Sequence, residues 1–168
     1  IQLGGEATSI QNNGRAPLVI KGSINGGSVS VPGNISSQFI TSLLMAGGVT
    51  ESGIDITITS ELKSKPYVDI TIELLKSFGI ETHITENGYR VPGGQSYSSH
   101  NPVYKVPGDF SSMSYLLAAG ALASDTGIII TGAQPTSQGD TAIVDILSNM
   151  GANIHWNLSE KTISITKS

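Results

Sequence analysis

Two short groups of residues carry the clearest chemistry in this chain, Ser36-Ser37-Gln38 and Ser64-Lys65-Pro66-Tyr67. Each stands where a helix is expected to begin. Ahead of the first group, a short β-like run ends at Pro32-Gly33, and Asn34 is placed to act as an N-cap. Asn, Ser and Thr are favoured at such starts because their side chains satisfy backbone N–H groups that have no partner inside the helix. The first turn also offers free N–H donors and the positive end of the helix dipole, so hydroxyls beside it suit an anion such as phosphate. A second hydroxyl at a second helix start, Ser64, can approach the same ligand. A plainer reading stands beside this one. Ser36, Ser37 and Ser64 then only cap helices, and Tyr67 only covers the edge of a core. Lys65 reads as a solvated lysine that adds at most long-range attraction.

The elements that must hold these groups are legible along the chain. The 168 residues include 38% hydrophobic and 13% charged residues with 20 glycines, which suits a turn-rich globular protein. A formal net charge of −4 and the lack of any Lys/Arg block argue against a nucleic-acid surface. Cysteine is absent, which excludes disulfides, thiolate metal sites and a Cys nucleophile and fits a cytoplasmic protein. The longest apolar run, Tyr115 to Ala123, is far too short to span a bilayer. No secretory signal follows Ile1, and the chain reads as a fragment of something longer.

Residues 1–22 read as the tail of a unit. Leu3-Gly4-Gly5 suits a helix end, and strands near Glu6–Ile10 and Leu18–Lys21 flank the polar turn Gln11–Gly14. A βαβαββ order follows. Val29–Val31 is a strand and Ser36–Ala46 a helix, while Ile54–Thr59 alternates with period two as a half-buried strand does. Pro66 opens a second helix whose apolar side is Val68, Ile70, Ile72, Leu74, Leu75 and Phe78, and Gly79 stops it. Glu81–Thr85 and Tyr89–Val91 close the unit as a hairpin.

The same order recurs. Val106-Pro-Gly-Asp-Phe-Ser-Ser112 matches Val31-Pro-Gly-Asn-Ile-Ser-Ser37, and Asp145-Ile-Leu-Ser-Asn-Met-Gly151 matches Glu73-Leu-Leu-Lys-Ser-Phe-Gly79. Leu3-Gly4 falls on Phe78-Gly79 in the same way. Such a long period points to repeated α/β subdomains rather than to a solenoid. The polar, Pro-containing stretch from Gln95 to Val103 is the best linker candidate.

Gly33-Asn-Ile-Ser-Ser-Gln-Phe39, Ser64-Lys-Pro-Tyr-Val-Asp-Ile70, Gly93-Gly-Gln-Ser-Tyr97 and Gly108-Asp-Phe-Ser-Ser-Met-Ser-Tyr115 run in one order over nearly the whole chain. In these motifs the chain resembles the 5-enolpyruvylshikimate-3-phosphate (EPSP) synthase family. The resemblance implies an α/β fold of the α+β type, built from repeated βαβαββ units of the enolpyruvyl transferase fold. Here there would be two complete units plus the tail of a third. By the same resemblance, residues 1–22 are the tail of a preceding unit and 23–97 a complete unit closing an N-terminal domain. Residues 98–103 are an interdomain linker, and 104–168 are the first unit of a second domain.

The implied reaction moves the enolpyruvyl group of phosphoenolpyruvate to the 5-hydroxyl of shikimate 3-phosphate, with no metal or organic cofactor. The family's serines at the positions of Ser36, Ser37 and Ser64 hold the 3-phosphate. Its Gln at Gln38 lies where the two substrates meet, and its Tyr at Tyr67 contacts the shikimate moiety. The parent enzyme is expected to be a monomer of the cytoplasm, binding these two small molecules and neither nucleic acid nor membrane. Self-association of the fragment is left open, because units cut from their neighbours expose apolar faces. Two alternatives stand beside this reading. One is the related UDP-N-acetylglucosamine enolpyruvyl transferase, against which Ser64-Lys-Pro-Tyr67 and Ser36-Ser-Gln38 argue. The other is a non-catalytic repeat module that binds a phosphorylated metabolite.

The repeat supplies a contrast. Asp109 replaces Asn34, and Thr136-Ser-Gln-Gly139 with Asp140 replaces the Ser64 segment, so carboxylates there would compete for the same N–H donors and repel phosphate. Asp109 is therefore expected to cap, with Ser111 and Ser112 structural. His83 and His155 fall on equivalent strands and read as structural, His100 lies in the linker, and no metal site is expected. Gly26-Gly27 and Gly93-Gly94 are turn glycines without a dinucleotide-site context. Only two arginines are present, Arg15 and Arg90, too few to neutralise two phosphorylated carboxylates. Catalytic acid/base residues are expected outside this chain.

Overall fold

The computed structural model describes residues 2–99 and 103–167. The chain divides into two units, Ile1–Pro102 and Val103–Ser168, each with its own core. His100 and its neighbours Asn101 and Pro102, in the expected linker, lie outside the described residues.

The first unit opens with an antiparallel hairpin, β1 (Glu6–Ser9) and β2 (Leu18–Lys21), with Glu6 opposite Lys21 and Ser9 opposite Leu18. Its turn holds Asn12 and Gly14 at positive φ, which these residues tolerate better than most. Leu18, Val19 and Ile20 of β2 are all exposed.

Then come β3 (Gly27–Val31), α1 (Ser37–Gly47), β4 (Ile54–Ile58), α2 (Lys65–Ser77), β5 (His83–Thr85) and β6 (Gly88–Val91). The sheet order is β3-β4-β6-β5, parallel between β3 and β4 and antiparallel elsewhere. Alternation in β4 buries Ile54 and Ile56 on the core face. From α1, Ile40 and Leu44 sit one helical turn apart and are fully buried, each worth roughly 1.5–3 kcal/mol of burial. From α2, Val68 and Leu75 join the same core with Ile80, Tyr89 and Val91. Gly79 ends α2 at φ 78°, with the Ile80 N–H donating back to the Leu75 carbonyl at 2.9 Å.

The second unit holds α3 (Phe110–Ala123), β7 (Ile128–Thr131), a 3-10 turn (Gly139–Thr141), α4 (Ala142–Asn149), β8 (Asn153–Asn157) and β9 (Thr162–Thr166). Its antiparallel sheet runs β7-β9-β8. Phe110, Met113 and Leu117 of α3 pack with Ile163 and Ile165 of β9, and the Phe110 ring meets Trp156 at 5.2 Å. The repeat shows in the helix ends. Gly151 stops α4 at φ 95°, and the Ala152 N–H returns to the Leu147 carbonyl at 2.9 Å, as at Gly79.

One element departs from the expected βαβαββ order. Among the described residues of the second unit no strand precedes α3, and Val106 is exposed in irregular backbone. The backbone there is held by the Gly108 N–H, which donates to the Gly132 carbonyl at 3.0 Å.

Candidate functional site

Parallel pairing decides where the two helices start. Val31 lies opposite Ile58, so β3 and β4 leave the sheet at the same edge and each turns into a helix there. The Thr59 N–H donates to the Val31 carbonyl at 3.1 Å, carrying the pairing one step into the loops. Beyond it the loops touch. A Cβ on Gly33 would stand 2.8 Å from both the Ser60 carbonyl oxygen and the Ile58 Cγ2, so only glycine fits this crossing.

The helix starts therefore converge on one cavity of about 580 Å³. Ser36, Ser37, Gln38, Ser64 and Tyr67 all line it, together with Ile35, Thr41, Ile70 and Thr71. All five residues singled out in the sequence are brought together.

Their hydrogen bonding leaves donors facing the cavity. Ser36 caps α1, its hydroxyl oxygen accepting from the Gln38 N–H at 3.2 Å. Ser64 takes the cap position of α2 but makes no side-chain cap bond. Ser37 is buried at 9% exposure, and its hydroxyl makes no hydrogen bond among the described residues. Neither helix has an acidic residue in its first turn. The lining includes no carboxylate and no cation, so it is a set of neutral donors at two positive helix ends. That combination favours an anion, by about 0.3–1 kcal/mol for each helix terminus and up to about 2 where partly buried.

Asn34 does not cap α1. Its side-chain oxygen accepts from the Ser60 hydroxyl at 2.9 Å, and its backbone N–H donates to Ser60 Oγ at 3.2 Å. The helix begins at Ser37 in consequence. Lys65 is also redirected, donating to both carboxylate oxygens of Asp69 at 2.7 Å one turn along α2. That hydrogen bond raises the ammonium pKa, and Lys65 lines a different hollow with Ser60 and Tyr89.

The equivalent place in the second unit is closed. Asp109 caps α3, accepting from the Ser111 N–H at 3.2 Å and the Ser112 N–H at 3.1 Å. Gln138 reaches over from the loop before α4, its amide nitrogen donating to Asp109 at 2.7 Å and to the Ser111 hydroxyl at 3.0 Å. The Gln138 oxygen accepts the Phe110 N–H at 2.8 Å. The backbone N–H groups of Phe110, Ser111 and Ser112 are all engaged. The Ser112 hydroxyl, the Gln138 amide and the Ser112 N–H hold the Asp109 pKa down, from 3.8 to about 2.

Other candidates stay apart from the cavity. Arg90 faces Asp55 at 3.6 Å and Arg15 lies in the β1–β2 turn. His83 sits on β5 beside Glu81 at 3.4 Å, and His155 on β8 opposite Ser164. Among the described residues no three His, Asp or Glu side chains gather as metal ligands. Nor is any described helix long and apolar enough to cross a membrane. Thr41 and Thr71 were not picked out from the sequence, although each stands one helical turn beyond Ser37 or Tyr67 and so on the same face. Their hydroxyls donate to the Gln38 and Tyr67 carbonyls at 3.2 and 3.0 Å.

Comparison with known proteins bears on this site. The sequence profile described as EPSP synthase (3-phosphoshikimate 1-carboxyvinyltransferase) matches residues 1–168. A 3-phosphoshikimate 1-carboxyvinyltransferase of Natronomonas pharaonis is 53% identical, aligned over 99% of this chain and 41% of its own length. One from Halobacterium salinarum is 55% identical over 99% of this chain and 39% of its length. The chain thus spans well under half the length of these curated relatives. The EPSP synthase structure from Acinetobacter baumannii superposes with a TM-score of 0.70, covering 98% of this chain and 37% of that one. At 20% identity this likeness speaks for the fold alone.

Proposed function

The chain belongs to the EPSP synthase (3-phosphoshikimate 1-carboxyvinyltransferase) family, and from that premise we propose that it carries part of a shikimate 3-phosphate site. In the whole protein that site serves transfer of the enolpyruvyl group of phosphoenolpyruvate to the 5-hydroxyl of shikimate 3-phosphate, a step toward aromatic amino acids. One observation carries the reading: Ser36, Ser37, Gln38, Ser64 and Tyr67 line one cavity at two helix starts, with no carboxylate among them.

The roles are those the family resemblance implies for these positions. Hydroxyls of Ser36, Ser37 and Ser64 and the amides of the first turns hold the 3-phosphate. Gln38 marks the junction with phosphoenolpyruvate, and Tyr67 contacts the shikimate ring. Acid/base groups and the cations that balance two phosphorylated carboxylates come from other parts of the whole protein. Residues 1–22 end a preceding unit, 23–97 close one domain, 98–103 link, and 104–168 begin a second domain. The whole enzyme works as a cytoplasmic monomer on these two small molecules. The exposed Leu18, Val19 and Ile20 of β2, and Tyr115 and Leu122 of α3, are apolar surface that favours self-association of this chain.

Calorimetric titration with shikimate 3-phosphate tests the site. The chain is expected to bind it and to ignore shikimate, which lacks the phosphate. A triple variant S36A/S37A/S64A is expected to lose at least tenfold in affinity, since bonds to a charged group contribute about 1.5–3 kcal/mol each. Unaltered affinity in that variant would remove the assignment.

A further inference from the structure

We propose that Ser60 is a positioning residue that keeps the phosphate cavity open by drawing the Asn34 side chain away from the start of α1. The proposal rests on the phosphate reading above. Its basis is a comparison inside the chain. Both units carry Val-Pro-Gly, then Asn34 or Asp109, then a hydrophobic residue and two serines. Yet α3 begins one residue after Asp109, whereas α1 begins three residues after Asn34. Residue type does not explain the difference, because Asn and Asp cap helices about equally well.

The partner does explain it. Asp109 is free to accept the Ser111 and Ser112 amides. The corresponding oxygen of Asn34 is taken by the Ser60 hydroxyl at 2.9 Å, and that same hydroxyl accepts the Asn34 N–H at 3.2 Å. Gly33 brings the loops near enough for the exchange. Residues 33–35 then form a turn instead of helix, and Ser36 caps with a single bond. A hydroxyl is needed at position 60 because the group both donates and accepts. Without it, Asn34 swings onto the Ser36 and Ser37 amides, α1 lengthens toward its N-terminus, and the donors meant for phosphate are filled from within, as they are at Asp109.

Three variants test this by calorimetry with inorganic phosphate and with shikimate 3-phosphate, alongside backbone amide and carbon shifts. S60A is expected to weaken both ligands about three- to tenfold and to move the shifts of residues 34–36 toward helical values. S60T is expected to keep wild-type affinity. N34A/S60A removes the intruding oxygen and is expected to bind more tightly than S60A. Wild-type affinity in S60A, or a double variant no better than S60A, overturns the positioning role alone. A wild-type chain that binds neither ligand overturns the phosphate site and this role with it.

Discussion

Gln138 donates from its side-chain amide to the Asp109 carboxylate at 2.7 Å in the second half of an internal repeat. It completes a closed cap at α3, where the carboxylate and the amide between them take the backbone N–H groups of Phe110, Ser111 and Ser112. At α1 the equivalent position is turned aside by Ser60. The recurring helix start is therefore capped by its own carboxylate in the second unit, whereas in the first the Asn34 side chain is held by Ser60 instead.

The sealed cap makes the second unit sensitive to acid. Its carboxylate has a folded pKa of about 2 against an ordinary 3.8. A depressed pKa contributes stability that is present above the unfolded value and lost as pH falls through the folded one. Trp156, the one tryptophan, lies in this unit. Its fluorescence is expected to report stability falling between about pH 4 and pH 2, with a shallower slope in D109A. An identical acid limb in wild type and D109A would refute the cap's contribution.

Gly33→Ala tests the crossing of the two loops. The added methyl meets the Ser60 carbonyl and Ile58 at 2.8 Å, where backbone must shift. The expected cost is about 1–3 kcal/mol in urea unfolding of the first unit, accompanied by weaker shikimate 3-phosphate binding. A variant as stable as wild type would mean that the loops have room to part.

The isolated chain is expected to release no phosphate from phosphoenolpyruvate and shikimate 3-phosphate above the uncatalysed background. The cavity lining has Tyr67 as its single titratable side chain and no cation, whereas enolpyruvyl transfer needs placed proton donors and acceptors. Phosphate release matched by enolpyruvyl product would contradict this and require catalytic groups elsewhere in these 168 residues.

Much of the framework was legible in the residues themselves. The alternation in Ile54–Ile58, the helical face of Val68, Ile72 and Leu75, and the stops at Gly79 and Gly151 are local signals, and each depends on a few neighbouring positions. The grouping of Ser36, Ser37, Gln38, Ser64 and Tyr67 came from family resemblance, because nothing local announces that two helix starts will meet. Their meeting depends on parallel pairing of Val31 with Ile58. Asn34 misled for the same reason. Its local pattern is that of a cap, and the hydroxyl that diverts it lies across the sheet edge at Ser60. Gln138 was passed over beside the more conspicuous Asp140, since reach across a loop leaves no periodic trace. The strand expected before α3 is not formed among the described residues, although the same Val-Pro-Gly follows β3 in the first unit, so the local motif alone does not specify it.

The most direct test of the account follows backbone amide shifts of the 168-residue chain during titration with shikimate 3-phosphate. The amides of residues 36–38 and 64–67, excluding Pro66, are predicted to move together and saturate at one ligand, while those of 110–112 stay in place. Movement at 110–112 with silence at 36–38 would contradict it outright.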